Sequence, residues 1–277
     1  MLESRFFAIT KVSNRAPNSM VGYYRETVLH VKHWTDTLFS FVTTRNPGFR
    51  YENGQFAMVG IEISGTLVAR AYSMVSSNYN DYLEWLSIKV SDGPLTSKLQ
   101  YIKPDDTILI SKKPVGTLII DNLCPGKRLY LLSSGTGLAP FISIICDPVT
   151  YERFERVILV HSCRYVDELA YYNRIKNELP NHEFLGDHVR EKLIYYPTVT
   201  REKFGNSGRI TDLIISGKLF KNIAMPFLNA ATDRVMICGN PNLVIDMKNI
   251  LKTSGFNEGS SNKPAEYVVE KAFVEKS

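Results

Sequence analysis

Hydrophobic and polar residues alternate in short runs through the first part of the chain, which is the pattern of antiparallel strands. Along residues 86–91, Leu, Ile and Val alternate with Ser, Lys and Ser, so we expect this strand to have one buried and one solvated face. Turn signals separate such runs and predict strands at 23–31, 38–44, 56–63, 68–76, 83–91 and 107–111. The series favours an antiparallel β-barrel.

From Lys127 onward, apolar runs alternate with stretches of helical periodicity. Strands are predicted at 129–132, 157–161, 193–196 and 235–238, and helices up to 145, over 168–179, over 211–219 and over 243–251. A polar loop at 254–264 leads to a final strand. Such alternation indicates an α/β domain with a parallel sheet. We therefore expect two domains, 1–124 and 125–277, with the boundary near Cys124-Pro125-Gly126.

One predicted barrel strand contains Arg70-Ala71-Tyr72-Ser73. Side chains alternate along a strand, so Arg70 and Tyr72 share one face while Ala71 and Ser73 share the other. An arginine can bind a phosphate through two N–H groups, a tyrosine ring can lie against a flavin, and a serine hydroxyl can reach a flavin ring nitrogen. On these four residues alone, an ordinary amphipathic strand is an equally good interpretation.

A glycine-rich segment, Ser134-Gly135-Thr136-Gly137, joins the predicted strand 129–132 to a helix. Gly135 and Gly137 let the backbone approach a pyrophosphate, and N–H groups at a helix start favour anions. Thr136 adds a hydroxyl and an amide, and Pro140 suits the first helical turn. The segment lacks the third glycine of the common dinucleotide fingerprint, so a purely structural strand-to-helix turn stays an alternative.

A third segment ends the predicted strand 235–238 at Cys238, followed by Gly239, Asn240 and Pro241. Asn240 suits the N-cap of a helix and Pro241 its first position, and Gly255 provides a stop. Cys238 is thus expected at the carboxyl end of a parallel strand, where open α/β sheets bind ligands. A buried, inert cysteine is the alternative.

Composition and charge exclude several classes of protein. A net charge of +5 suits an acidic partner, but no dense run of Lys and Arg indicates a nucleic-acid module. No apolar run approaches the roughly 20 residues that cross a bilayer, and the start lacks a signal-peptide core, so we expect a cytoplasmic protein. The four cysteines form no CxxC pair, and HExxH and G-x-S-x-G are absent, so we expect no metal site and no serine triad.

Taken in order, Arg70-Ala71-Tyr72-Ser73, Gly135-Thr136-Gly137-Leu138-Ala139-Pro140-Phe141, Cys238-Gly239 and the tail Val268-Val269-Glu270-Lys271-Ala272-Phe273 resemble the ferredoxin–NADP+ reductases. The tail is similar to that of the bacterial branch, and the resemblance runs from about residue 23 to 276. It implies that 1–124 binds FAD, that 125–277 binds NADP(H), and that a hydride passes between them. It also implies single-electron exchange with ferredoxin or flavodoxin, which are both acidic carriers. We expect the protein to be a monomer.

The resemblance also implies roles for individual residues. Ser73 would bond near flavin N5, Cys238 would shape the nicotinamide pocket, and Glu270 would relay protons. Ala272 would cover the flavin face opposite the tyrosine, and Phe273 would stack on the adenine of FAD. The FAD and nicotinamide pocket would comprise Arg70, Ala71, Tyr72, Ser73, Ile88, Lys89, Val90, Gly93, Leu95, Thr96, Ser97, Thr136, Ala272 and Phe273. The NADP site would comprise Gly135, Thr136, Gly137, Arg164, Arg201, Arg209, Gly239 and Asn240.

Three arginines favour NADPH over NADH, because only NADPH carries a 2′-phosphate and a guanidinium binds it well. Arg164 follows the strand that ends near Cys163, and Arg201 and Arg209 flank the loop after 195–197. No acidic residue directly follows Cys163 to bind a ribose diol.

Two other functions stay open on the sequence. A flavin or oxygenase reductase would share both domains and differ only in its acceptor. A non-catalytic electron-transfer or nucleotide-sensing subunit would often carry a cysteine cluster, and its absence counts against that alternative.

Overall fold

The computed structural model describes residues 21–271, and its first half is an antiparallel barrel. Its strands are β1 (Tyr23–His33), β2 (Leu38–Thr44), β3 (Phe56–Ile63), β4 (Thr66–Ser73), β5 (Tyr82–Ile88) and β6 (Thr107–Ser111), with helix α1 (Thr96–Leu99) before β6. They hydrogen-bond in the order β4-β3-β6-β1-β2-β5. Directly after β4, Met74 pairs with Trp85 of β5, so the sheet curls until its two edges meet. The predicted antiparallel barrel is confirmed.

Strand β5 is buried on both faces, which corrects the expectation of a solvated face. Leu83 and Trp85 pack in the barrel core, whereas Leu86 packs against the second half of the chain. Ser87, expected in water, is only 1% exposed. The face of Ser87, which the local pattern assigned to solvent, is shared with Leu83 and Trp85 and lies towards the barrel core, whereas the α/β half covers the opposite face at Leu86. Local alternation does not encode such tertiary packing.

The second half is built on five parallel strands. These are β7 (Arg128–Ser134), β8 (Arg156–Cys163), β9 (Leu193–Val199), β10 (Asp233–Gly239) and β11 (Tyr267–Lys271), in the order β11-β10-β7-β8-β9. The helices are α2 (Ala139–Ile145), α3 (Pro148–Arg153), α4 (Gly186–Lys192), α5 (Ile210–Ile215), α6 (Lys218–Asn222) and α7 (Pro241–Thr253). Apolar clusters cover both faces of the sheet, which confirms the predicted α/β half.

The predicted helix over 168–179 is wrong. A 3-10 turn (Val166–Glu168) and a π-helical turn (Arg174–Glu178) replace it, and Tyr171 between them has a left-handed φ of 62°. The Tyr171 hydroxyl donates to Glu84 Oε1 in the barrel at 2.8 Å, and its ring centroid lies 5.0 Å from that of Trp34. These contacts across the molecule override the local periodicity.

The barrel rests on the glycine-rich side of the parallel sheet. Leu38, Val75 and Leu86 of the barrel share one apolar cluster with the buried face of α2. Polar contacts border it: Gly54 N–H donates to Ser143 Oγ at 2.9 Å, and Asn53 Nδ2 donates to Asp147 Oδ2 at 2.8 Å. The expected boundary near Cys124-Pro125-Gly126 lies between β6 and β7 and stays a prediction.

Within residues 21–271, the structure contains no helix with the length and apolar character needed to cross a membrane.

Candidate functional site

The glycine-rich turn begins where β7 ends. Gly135 has a left-handed φ of 54°, and a Cβ atom there would meet no neighbour within 4 Å. A Cβ at Gly137 would instead lie 2.2 Å from the carbonyl oxygen of Cys238. Gly135 therefore leaves backbone open for a ligand, while Gly137 allows the turn to pack on the end of β10. Thr136 is 8% exposed, and Pro140 lies in the first turn of α2, as predicted.

The turn after β10 packs against the first one. A Cβ at Gly239 would lie 2.2 Å from Ser134 Oγ, and that oxygen accepts hydrogen bonds from the backbone N–H and the Nδ2 of Asn240, at 3.0 and 3.1 Å. Asn240 Oδ1 accepts from Leu243 N–H at 3.0 Å, so α7 begins with the predicted N-cap and proline. Both turns thus form one surface at the carboxyl edge of the sheet.

Cys238 and Glu270 are register neighbours on β10 and β11. Cys238 is 2% exposed, and burial, with a smaller effect of the Glu270 charge, raises the pKa of its thiol well above the usual value. Burial also raises the pKa of Glu270 to about 7, against hydrogen bonds from Thr117 and Leu118 that lower it. The thiol is therefore protonated, whereas the carboxyl group can gain or lose a proton near neutral pH.

Gly116 and Thr117 hold the Glu270 side chain, and the sequence interpretation missed both. Glu270 Oε1 accepts from the backbone N–H of Thr117 and from its hydroxyl, the latter at 3.3 Å. Thr117 Oγ1 also donates to Val269 O at 3.0 Å. Gly116 has a φ of 142°, and a Cβ there would lie 2.8 Å from Glu270 Oε1. The only signal in the sequence was a Gly-Thr pair between β6 and β7.

Strand β4 places Arg70, Ala71, Tyr72 and Ser73, which we call the flavin-type residues, beside β5. The Tyr72 hydroxyl and Ser87 Oγ are 3.0 Å apart and share a hydrogen bond, and burial raises the pKa of Tyr72 to about 12. Arg70 and Ala71 are exposed, whereas Tyr72 and Ser73 are half-buried. Because β5 also contacts the Gly135–Leu138 turn, the flavin-type residues and the glycine-rich turn lie on either side of one strand.

The loop after β5 is shaped by its own hydrogen bonds. Thr96 Oγ1 donates to Val90 O at 3.2 Å and accepts from Val90 N–H at 3.3 Å, and a Cβ at Gly93 would lie 2.4 Å from this hydroxyl. Lys89 N–H donates to Thr37 O at 2.7 Å. Leu95 is buried in the barrel core, and Ile88, Lys89, Val90, Gly93, Thr96 and Ser97 are half-buried. These bonds hold the Val90 and Thr96 ends of the loop together.

The three predicted arginines, Arg164, Arg201 and Arg209, lie in loops at the same edge of the sheet. Arg201 N–H donates to Arg164 O at 3.0 Å, so the loops after β8 and β9 are joined. The β9 loop then folds back, because Gly208 N–H donates to Val199 O at 3.1 Å, and this places Arg209 beside the end of β9. All three are exposed, and within residues 21–271 none forms an ion pair.

Two predicted residues, Ala272 and Phe273, lie outside the described residues. A separate cleft of about 600 Å³ lies between the halves and is lined by residues including Tyr79, Arg174 and Phe184, but by none of the predicted site residues. Across the described part of the chain, no three His, Cys, Asp or Glu side chains are grouped as they would be around a metal ion.

The residues brought together thus fit two nucleotide cofactors. Glycines stand where a Cβ would collide, an open backbone turn lies at the same edge as arginines that form no ion pair within residues 21–271, and a half-buried tyrosine is anchored by its hydroxyl. The structure gathers Gly135, Thr136, Gly137, Cys238, Gly239, Asn240 and Glu270 at one edge, with Tyr72 across β5.

Comparison with known proteins agrees with this arrangement. Residues 30–119 match the oxidoreductase FAD-binding domain family, and residues 131–249 match the oxidoreductase NAD-binding domain family. A Pseudomonas aeruginosa protein named ferredoxin–NADP reductase is 56% identical over 258 residues, covering 93% of this chain and 100% of that protein. An Escherichia coli protein named flavodoxin/ferredoxin–NADP reductase is 36% identical, over 82% of this chain and 89% of that protein.

A solved structure has the same architecture. The ferredoxin NADP+ reductase of Neisseria gonorrhoeae, crystallised with bound FAD and NADP, is 31% identical and superposes with a TM-score of 0.83. The match covers 91% of this chain and 100% of that one. Motifs, fold and relatives agree, and this chain belongs to the ferredoxin–NADP reductase family of FAD- and NADP-binding oxidoreductases.

Proposed function

We propose that this chain is a ferredoxin/flavodoxin–NADP reductase, which exchanges a hydride with NADP(H) and single electrons with an acidic carrier protein. The observation that carries the proposal is the meeting of the glycine-rich turn, Cys238 and Glu270 at one sheet edge beside β5, whose Ser87 bonds to the Tyr72 hydroxyl. The names of the relatives from Pseudomonas aeruginosa and Escherichia coli support the same activity.

In this proposal the barrel half holds FAD. The Tyr72 ring would pack against the isoalloxazine, and its hydroxyl is anchored by the bond to Ser87. Arg70, exposed on the same strand, binds the pyrophosphate, and the 88–97 loop contributes backbone groups. Bound FAD supplies the conversion between two-electron hydride chemistry and one-electron transfer. Ser73 would donate to a ring nitrogen, while the roles that the resemblance implies for Ala272 and Phe273, at the flavin face and at the adenine, concern residues outside the described part of the chain.

The α/β half holds NADP(H) across the two turns. Gly135, Thr136 and Gly137 present backbone N–H groups to the pyrophosphate, and Gly239 and Asn240 form the facing wall. Arg164, Arg201 and Arg209 bind the 2′-phosphate, because their guanidinium groups are exposed at this edge without ion pairs to residues 21–271. Cys238, whose buried thiol carries no charge, would line the nicotinamide pocket and help to exclude water from it.

Glu270 manages the proton that accompanies reduction. Its carboxyl group has a pKa near 7 because it is buried, so it can take up or release a proton at physiological pH. Thr117 holds one oxygen, Oε1, through two hydrogen bonds. The other oxygen, Oε2, is the one we assign to proton exchange.

An anaerobic titration of the purified protein with NADPH tests the proposal. We expect oxidised-flavin absorption bands that bleach with about one equivalent of NADPH and recover on addition of oxidised ferredoxin or flavodoxin. A colourless protein, or a yellow one that NADPH does not bleach, would contradict it. Bleaching without transfer to either carrier would retain the cofactor sites and indicate a reductase with another acceptor.

We further propose that the protein acts as a monomer in the cytoplasm. Its net charge of +5 suits a transient encounter with an acidic carrier, which an exposed edge of the site permits. Light scattering of the purified protein tests the first point, and a mass above that of one chain would contradict it. Cell fractionation tests the second.

A further inference from the structure

Three successive backbone N–H groups after β8 are bound by carboxylates. Arg164 N–H and Tyr165 N–H donate to Glu168 Oε2, at 2.8 and 3.3 Å. Val166 N–H donates to Glu202 Oε1, which lies in the loop after β9. We call residues 164–168 the arginine turn. Its backbone is therefore fixed at consecutive positions by two acidic side chains, one from within the turn and one from the neighbouring loop.

The same turn is tied to β9 by backbone pairing. Thr200 N–H donates to Cys163 O at 3.1 Å, and Arg201 N–H donates to Arg164 O at 3.0 Å. The carbonyl of Glu168 accepts from the Cys163 thiol at 3.3 Å and from Ala170 N–H at 2.7 Å. The backbone N–H and the backbone C=O of Arg164 are thus both hydrogen-bonded. Its long side chain therefore starts from a backbone that cannot rotate freely.

Charge alone opposes this arrangement. A carboxylate beside a site for a phosphate dianion weakens binding by repulsion, and Glu168 and Glu202 bring two. Their oxygens, however, point at backbone N–H groups, and such charge-assisted bonds are stronger than neutral ones. Asp167, exposed on the same turn, forms no hydrogen bond to residues 21–271 through its side chain, so it contributes repulsion without this benefit.

We propose that Glu168, with Glu202, is a positioning residue that fixes Arg164 for the 2′-phosphate and so raises the preference for NADPH. The proposal rests on the proposed function, because it requires Arg164 to bind that phosphate. Glu168 acts through the arginine turn and does not touch the nucleotide. The acidic side chains therefore favour an anionic ligand by holding a cation in place.

Calorimetric titration of the FAD-loaded protein with adenosine 2′,5′-bisphosphate and with 5′-AMP tests this, since the two probes differ in the 2′-phosphate. We expect Glu168→Ala to weaken binding of the bisphosphate by roughly three- to tenfold and to leave binding of 5′-AMP unchanged. Glu168→Gln retains an acceptor and should have a smaller effect. Asp167→Asn is the matched control: it removes an equal charge from the same turn and should leave bisphosphate binding unchanged or slightly tighter.

A double-mutant cycle separates positioning from a general effect on folding. If Glu168 acts through Arg164, then Glu168→Ala should change bisphosphate binding little in an Arg164→Ala background. Amide hydrogen exchange should also become faster at Arg164 and Tyr165 in Glu168→Ala, because their N–H groups lose the Glu168 acceptor. If Glu168→Ala and Asp167→Asn both tighten binding, repulsion dominates and the proposal is wrong. It is also wrong if the Glu168→Ala effect persists without Arg164.

The outcomes distinguish this inference from the proposed function. If the unmodified protein binds the bisphosphate no better than 5′-AMP, the NADP site itself is misassigned, and both fail. If it prefers the bisphosphate and Arg164→Ala abolishes that preference while Glu168→Ala does not alter it, only the positioning role fails. Should Glu168→Ala not fold, Glu168→Gln supplies the comparison in both backgrounds, with a smaller expected loss of bisphosphate affinity that must likewise disappear without Arg164.

Discussion

At the scale of single residues, Glu270 combines a buried carboxyl group with hydrogen bonds from Thr117 to its Oε1 atom. Burial raises its pKa from 4.5 to about 7, and the Thr117 bonds only partly offset that rise. The folded chain therefore binds this proton more tightly than the unfolded chain does. Its contribution to stability is complete below about pH 4.5 and is lost as the pH rises towards 7.

We accordingly expect Glu270→Gln to remove a pH dependence of stability. Between pH 5 and about pH 8, the melting temperature of the unmodified protein should fall relative to that of the variant. Melting curves of both proteins across this range measure the difference. Glu266 is a useful control: burial raises its pKa, but hydrogen bonds from Asn257 outweigh burial and lower it. The melting temperature of Glu266→Gln should therefore differ from that of the unmodified protein at higher pH, and this difference should shrink as the pH falls. If the melting temperatures of Glu270→Gln and the unmodified protein run parallel across the pH range, the assignment is contradicted.

The second residue-scale prediction concerns Arg209. Removing its guanidinium should weaken NADPH binding by roughly tenfold or more and leave NADH binding almost unchanged, because only NADPH carries the 2′-phosphate. Steady-state KM values of Arg209→Ala for the two nucleotides measure this. Arg50→Ala, which removes an exposed arginine of the barrel, is the matched control. An equal rise in both KM values would show that Arg209 does not read the phosphate.

At the scale of elements, the two glycines of the turn have different reasons to be glycine. Gly135 needs a left-handed φ of 54° but has free space around it, whereas Gly137 has no room, with Cys238 O only 2.2 Å from its Cβ position. An alanine at 135 costs conformational strain of about 1 kcal/mol. An alanine at 137 must displace the backbone of β10, which neighbouring strands hold in place on both sides.

We therefore expect Gly137→Ala to destabilise the protein more than Gly135→Ala. The expected difference is up to about 2 kcal/mol, because overpacking against fixed backbone typically costs about 1–3 kcal/mol, compared with about 1 kcal/mol for the strain at Gly135. Urea unfolding of both variants without added nucleotide measures it. If both variants lose the same free energy of unfolding, the backbone of β10 at Cys238 shifts at little cost to accommodate the added Cβ.

The sequence predicted elements well where local chemistry decides. Asn240 and Pro241 gave the start of α7, because an amide cap and a fixed proline φ act within one turn. The sequence could not predict the break at Tyr171, where a bond to Glu84 in the barrel overrides helical spacing. The same holds for Thr117, which reaches Glu270 across 153 positions of chain, a contact that no local pattern encodes.

At the scale of the whole molecule, a largely buried ion pair joins the halves. Glu84 of the barrel accepts from Arg174 Nη1 at 2.9 Å, and both side chains are largely buried, at 12% and 26% exposure. Tyr171 donates to the other oxygen of Glu84. Removing the charge at one partner leaves the other buried without compensation, which costs much more than loss of a surface pair.

Glu84→Gln should consequently destabilise the folded chain by roughly 2–4 kcal/mol, less than a fully buried pair because Arg174 keeps some access to solvent. Asp121→Asn breaks the exposed pair with Arg153, whose side chains are 71% and 44% exposed, and should cost under about 1 kcal/mol. Urea unfolding followed by circular dichroism compares the two. Similar losses would show that the junction does not depend on this pair.

Both tryptophans of the chain lie in the barrel half, but in different surroundings. Trp85 is fully buried in the barrel core, whereas the Trp34 ring faces Tyr171 of the other half at 5.0 Å. The molecule thus carries two natural fluorophores, one sensitive to melting of the barrel and the other to parting of the halves. With Trp85→Phe, the emission wavelength of Trp34 becomes an optical gauge of domain separation that needs no attached dye.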